Sequence, residues 1–98
     1  MTVRIDFHPQ ATADLDDAAE WYLGKSPSAA ARFTEAVAAS LVKIEADPER
    51  FPAVGSKFRA CTVERFPYQV IFRVDPHRLY AIAVAHAKRR PGYWQDRS

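Results

Sequence analysis

The chain has 98 residues, 48% hydrophobic and 27% charged, which is enough for one globular domain and leaves no material for a second core. A single cysteine, Cys61, excludes an internal disulfide and a thiolate metal cluster, and His8, His77 and His86 lack metal-ligand spacing, so no metal or cofactor is expected. The opening MTVRIDFHPQ has no signal-peptide core and no apolar run approaches the ~18 residues of a membrane span, so the expectation is a cytoplasmic protein with no membrane partner.

The elements follow from hydrophobic periodicity. Residues 3–7 alternate Val3, Ile5, Phe7 against Arg4 and Asp6, the pattern of a half-buried strand. Pro9 suits a first helical turn, and Ala11, Leu15, Ala18, Ala19 and Tyr22 share one face of the helix that follows. Asp16, Asp17 and Glu20 fall on its opposite, solvated face, and Gly24 stands where the helix should end. Ser26-Pro27-Ser28 restarts the chain with a cap and a proline. Ala30, Phe33, Val37, Leu41 and Ile44 then form a second stripe, stopped at Asp47-Pro48. Two such helices joined by a short connection make an antiparallel hairpin.

Residues 49–56 read as a loop by their Pro and Gly content. Residues 58–64 and 68–74 read as strands, the second with Tyr68, Val70, Phe72 and Val74 on one face. Asp75-Pro76-His77-Arg78 is a turn, and residues 79–86 form the last strand. The expected fold class is α+β, in the order β-α-α-β-β-β: a small antiparallel sheet with a helical hairpin packed on one face.

Charge is divided along the chain. Residues 1–49 carry four Lys/Arg and nine Asp/Glu, a net −5, whereas residues 50–98 carry ten and three, a net +7. Most of the second-half cations are arginine, whose planar fork suits phosphates and carboxylates. Arg59, Arg65 and Arg73 on neighbouring strands, with Lys88, Arg89 and Arg90 after the last, could gather within ~10–15 Å on the open sheet face to bind phosphate or an acidic peptide. The alternative is that they are dispersed as solubilising charge at sheet edges.

His86 is the residue suited to acid–base work near neutral pH. With Tyr93 as proton donor and arginines to hold developing charge, it could cleave RNA through the 2′-hydroxyl. It also has the parity of Ile82 and Val84, so a helix-facing His86 would instead be a hydrogen-bonded cap on the core. Tyr93 and Trp94 could stack on bases, but folding back to cover a sheet edge or to pack against the helices is the favoured expectation. Trp21 and Tyr22 read as core and fringe, and Cys61 as a small core residue.

FHPQATADLDDAAEWY, DPERFP, VERFPYQVIF and AVAHAKRRPGYW, taken together over about residues 5–94, resemble successive blocks of the RelE/ParE toxin superfamily. The resemblance implies a growth-inhibiting toxin, or plasmid-stabilisation protein, of a type II toxin–antitoxin module. A small cognate antitoxin would clasp it in a hetero-oligomer, an expectation compatible with the charge division above. Two mechanisms occur in that superfamily. ParE-like members inhibit DNA gyrase, without an agreed nucleolytic residue set. RelE-like members cleave messenger RNA on the ribosome, and Arg65, His86 and Tyr93 would then be catalytic. Arg59, Arg73, Lys88, Arg89 and Arg90 would be target- or phosphate-binding. The long hairpin and an ending without an evident C-terminal helix resemble the ParE branch more closely, and Ala87 stands near where some nucleases carry a cation. A third reading is an inactive member that only binds its antitoxin as a corepressor.

Overall fold

The protein, here as a computed structural model that describes residues 4–97, runs β1 (Ile5–Phe7), α1 (Pro9–Leu23), α2 (Pro27–Ala46), a 3-10 turn (Pro48–Arg50), β2 (Ala53–Val54), β3 (Phe58–Thr62), β4 (Tyr68–Asp75) and β5 (Arg78–His86). Val3, read as the start of the first strand, lies outside the described residues. The expected β-α-α-β-β-β order holds with two refinements. The stretch read as a loop at 49–56 holds the end of the 3-10 turn and the short β2. The sheet, in order β1-β5-β4-β3-β2, is antiparallel from β2 to β5, but β1 runs parallel to β5. A parallel neighbour cannot be reached through a tight turn, and here everything from α1 to β4 lies between the two paired strands.

Local chemistry sets the helix ends. His8 Nδ1 accepts the Gln10 N–H at 3.0 Å ahead of Pro9, and Ser26 Oγ accepts the Ala29 N–H at 3.0 Å ahead of Pro27. Both predicted stripes face the sheet: Ala11, Ala18, Phe33, Val37 and Ile44 are buried, with Leu15, Ala19, Tyr22 and Leu41 packed around the same core. Cys61, Val63, Val70, Phe72, Leu79, Ala81 and Val84 supply its sheet side.

The opposite sheet face has no helix over it, yet it is buried. Phe58, Ala60, Ile71, Tyr80, Ile82, Ala83 and Ala85 pack with Trp94, which is 4% exposed and meets Phe58 edge-on at 4.9 Å. The chain after β5 thus folds back under the sheet as a lid. Gly92 permits the bend: its φ is +78°, and a Cβ there would lie 2.9 Å from Gln95 Nε2.

One irregularity decides where the last side chains point. Ile71 pairs with Ala83 and Phe72 with Ala81, leaving Ile82 as an extra residue in β5. Leu79 and Ala81 face the helices before this bulge, and Val84 does so after it, while Ile82 packs beneath the sheet. His86 therefore shares its face with Val84, as expected, but not with Ile82.

The bulge also lies where β1 ends. The β1–β5 register stops at Phe7 opposite Ala81, and the Ala81 carbonyl accepts the His8 N–H at 2.9 Å. Beyond that point β5 is an edge strand, covered by side chains rather than by backbone. Val84 N–H donates to Asp14 Oδ2 at 3.1 Å, and the Ile82 carbonyl accepts from Arg97 Nη1 at 3.0 Å. Arg97 and Asp14 are themselves paired at 2.7 Å, both largely buried. The outer edge of β1 is treated likewise: Ile5 N–H donates to Glu45 Oε2 at 2.8 Å. Both are edge protection by charged side chains.

Candidate functional site

A cleft of about 520 Å³ opens where α1 leaves β5. Asp14, Asp17, Ala18, Trp21 and Tyr22 of α1 form one wall; Pro67, Tyr68, Val84 and His86 form the floor; Lys88, Arg89 and Tyr93 close the far side. The wall follows from helical spacing, since residues three and four apart stack along one flank. The far side follows from the turn after β5, in which the Arg89 N–H donates to the His86 carbonyl at 3.0 Å.

Its floor is rigid. Tyr22 stacks on Phe33 at 4.9 Å and 28°, and Tyr68 lies 5.2 Å from Phe33. His86 meets Tyr68 edge-on at 4.9 Å, and its Nδ1 accepts the Lys88 N–H at 2.9 Å. That hydrogen bond fixes the neutral ring's proton on Nε2. Burial pushes the Tyr68 hydroxyl up, with help from Tyr22 and Tyr93. Burial raises Tyr93 as well, and the Asp14 carboxylate adds to the effect against Arg89 and Arg97. A hydroxyl raised in this way yields its proton less readily.

The cleft is electrically two-sided. Asp14 is engaged by Arg97, so Asp17 is the acidic group left on the α1 wall. Lys88 and Arg89 are exposed opposite it, and the Arg89 guanidinium lies 4.2 Å from the Tyr93 ring centre. Trp21, read as core and fringe, is 57% exposed at the rim with Lys25 over its ring, a correction to that expectation.

Of the residues singled out from sequence, His86, Tyr93, Lys88 and Arg89 come together here. The arginine cluster does not form. Arg73 pairs with Tyr80 and His86 with Tyr68, so six residues of strand, about 20 Å, separate the two ends. Arg59 pairs with Phe72, the residue before Arg73, so the pleat sends the two side chains to opposite faces. Each is also occupied: Arg59 Nη1 donates to the Phe51 carbonyl at 2.7 Å, and Arg73 forks onto Asp75 at 2.8 and 3.1 Å. Arg65 sits in the β3–β4 turn, on a separate groove along α2 with Arg32, Lys43 and Glu64. Arg90 is exposed in the turn after β5 and does not line the cleft.

Asp14 and Arg97 were not singled out from sequence, although Asp14 carried a signal. It stands three residues after Ala11 and four before Ala18, on the flank of the buried stripe, where an acid needs a partner.

Against this geometry, the family model described as "ParE toxin of type II toxin-antitoxin system, parDE" matches residues 5–91. The chain belongs to the ParE toxin family. A solved structure titled "Chromosomal ParDE TA system from P. aeruginosa" is similar in fold, with a TM-score of 0.76 and 19% sequence identity over 87% of this chain and 96% of that one. No curated protein matches the sequence significantly. The chain is thus the toxin component of a type II toxin–antitoxin system. The family match ends before Gly92, so Tyr93, Trp94 and Arg97 lie beyond it.

Proposed function

We propose that this toxin inhibits DNA gyrase, that a cognate antitoxin neutralises it in a hetero-oligomer, and that the cleft at the end of β5 is the face on which both contacts converge. Lys88, Arg89 and Arg90 engage the target, and the antitoxin silences the toxin by covering the cleft beside them. The observation that carries the choice of target is the dispersal of the arginines. Cleaving RNA at His86 would need cations held around the scissile phosphate. Arg59 and Arg73 are committed elsewhere and Arg65 lines another groove. Tyr93, the candidate proton donor, is held above its ordinary range by burial. A gyrase inhibitor needs an interaction surface and no such constellation.

The second reading, ribosome-dependent mRNA cleavage, keeps one supporting observation: His86, Tyr93, Lys88 and Arg89 line the same cleft. The two readings part in a purified system. Under the first, the toxin inhibits supercoiling by gyrase in a dose-dependent way, and added antitoxin restores it. Under the second, gyrase is untouched, messenger RNA is cut on the ribosome, and His86→Ala abolishes the cutting. Neither activity, with antitoxin binding intact, would mark a corepressor that is not toxic.

A further inference from the structure

Arg89, Tyr93 and Arg97 stand four residues apart and meet in the turns after β5. The Arg89 guanidinium lies 4.2 Å from the centre of the Tyr93 ring, and the Arg97 guanidinium 5.2 Å from it. Two cations beside one ring repel each other, but Asp14 compensates the second: its Oδ2 accepts from Arg97 Nη1 at 2.7 Å. Arg97 is held again at the Ile82 carbonyl, 3.0 Å away, and Asp14 at the Val84 N–H, 3.1 Å away. Tyr93 packs against the Trp94 cluster beneath the sheet. A path of fixed groups thus runs from α1 and the β5 edge through Arg97 and Tyr93 to Arg89. Lys88 and Arg90 lack such support. Both are exposed, and among the described residues neither makes an ion pair or lies over a ring.

We propose that Arg89 is the anchor of the cationic edge, its guanidinium set in place before the target arrives, and that Tyr93, Arg97 and Asp14 are its positioning residues. The inference rests on the gyrase reading above and deepens it by ranking the three cations and naming the group they meet. A guanidinium lying against a ring keeps its N–H edge free, and that planar fork fits an Asp or Glu carboxylate of the target protein. An unsupported arginine loses rotamer freedom when it binds, whereas Arg89 has already lost much of it. Lys88 and Arg90 keep theirs, so they add to long-range attraction more than to the contact. The part of Tyr93 that matters is then its ring, not its hydroxyl. Tyr93 and Arg97 lie beyond residues 5–91, so the family match does not report this support.

Inhibition of supercoiling by purified gyrase, measured as the half-inhibitory toxin dose, tests the ranking. Arg89→Ala is expected to raise that dose about thirtyfold, against less than about threefold for Lys88→Ala or Arg90→Ala. Tyr93→Leu and Arg97→Ala should each raise it about threefold to tenfold, and Tyr93→Phe, which keeps the ring, should recover most of the Tyr93→Leu loss. Asp14→Asn keeps an acceptor for Val84 N–H but removes the compensating charge, and should lose about threefold. The deciding readout is coupling. In an Arg89→Ala background, Tyr93→Leu and Arg97→Ala should change nothing further, whereas a merely structural role would weaken inhibition in both backgrounds. Equal losses at the three cations, or additive losses, overturn the positioning role while leaving gyrase as the target. Nuclear magnetic resonance of the free wild-type toxin checks the geometry without a target. The Arg89 Nε–H signal is expected to be shifted upfield by the Tyr93 ring, and an unshifted signal overturns the proposal whatever the variants do. A wild-type toxin without effect on supercoiling overturns the reading and the inference together.

Discussion

At the Arg78 end of β5, Arg73 forks onto Asp75, Arg78 approaches the same carboxylate at 3.7 Å, and the Arg78 guanidinium lies 4.0 Å from the centre of the Tyr80 ring. At the His86 end, Lys88 and Arg89 form no ion pair among the described residues and face a cleft with aromatic walls. One strand thus carries cations at both ends with opposite uses. The first group is spent on folding, because each charge already has a partner. The second is available, because its neighbours are rings and a distant acid. Arginine count alone would have ranked the two ends equally; partner count separates them.

The C-terminal end depends on the lid, so the largest expected effect is on folding. Trp94→Ala removes the buried aromatic of the lid over the helix-free face and should cost about 3–5 kcal/mol, read as a lowered urea midpoint. A loss below about 1 kcal/mol would mean that the face is covered by something other than this residue.

Next in size is the hairpin end. Arg73→Ala leaves Asp75 with the more distant Arg78 and should cost about 1 kcal/mol, discounted because a quarter of each side chain is exposed. The pH dependence has a fixed sign. The hydrogen bond from Arg73 holds Asp75 below the usual carboxylate value of 3.8, so the folded state binds fewer protons than the unfolded chain there. The pair's contribution is complete above that value and is lost as the pH falls through the depressed one. Asp75→Asn should flatten this part of the stability–pH curve; an unchanged slope would show that the pair is not what titrates.

The smallest effect concerns Arg65. Phe66 N–H donates to the Val63 carbonyl at 3.2 Å, and Arg65 has a φ of +72°, so a non-glycine residue occupies the third position of a type II-like turn. Arg65→Gly should raise stability by about 0.5–1 kcal/mol in a thermal melt. A loss would mean that the side chain contributes more than the turn costs.

Much of the fold was legible because it depends on periodicity. The stripes from Ala11 to Tyr22 and from Ala30 to Ile44 specify a helical hairpin with one buried side, and Ser26-Pro27 marks the break between them. The bulge at Ile82 was not legible. Ile82, Ala83 and Val84 are all buried, and no glycine or proline marks the slip, so alternation placed Ile82 on the wrong face. β2 escaped notice because two residues give no period. For the site, the cluster after Ala85 was visible as a break from apolar strand to cations and rings. The failure of Arg73 to join it was visible in principle, since Asp75 two residues on must share its face. The Asp14–Arg97 pair joins residues 83 positions apart, and no local pattern reports that.

The contrast between the two ends of β5 can be tested in one growth experiment. The toxin is induced without antitoxin as Lys88→Glu/Arg89→Glu and as Arg73→Ala/Arg78→Ala, and thermal melts confirm that both remain folded. The charge reversal is expected to abolish growth arrest with little change in Tm, while the hairpin-end variant melts lower and still arrests growth. Arrest that survives the reversal and fails in the folded hairpin-end variant would contradict it and move the working surface to the other end of the strand.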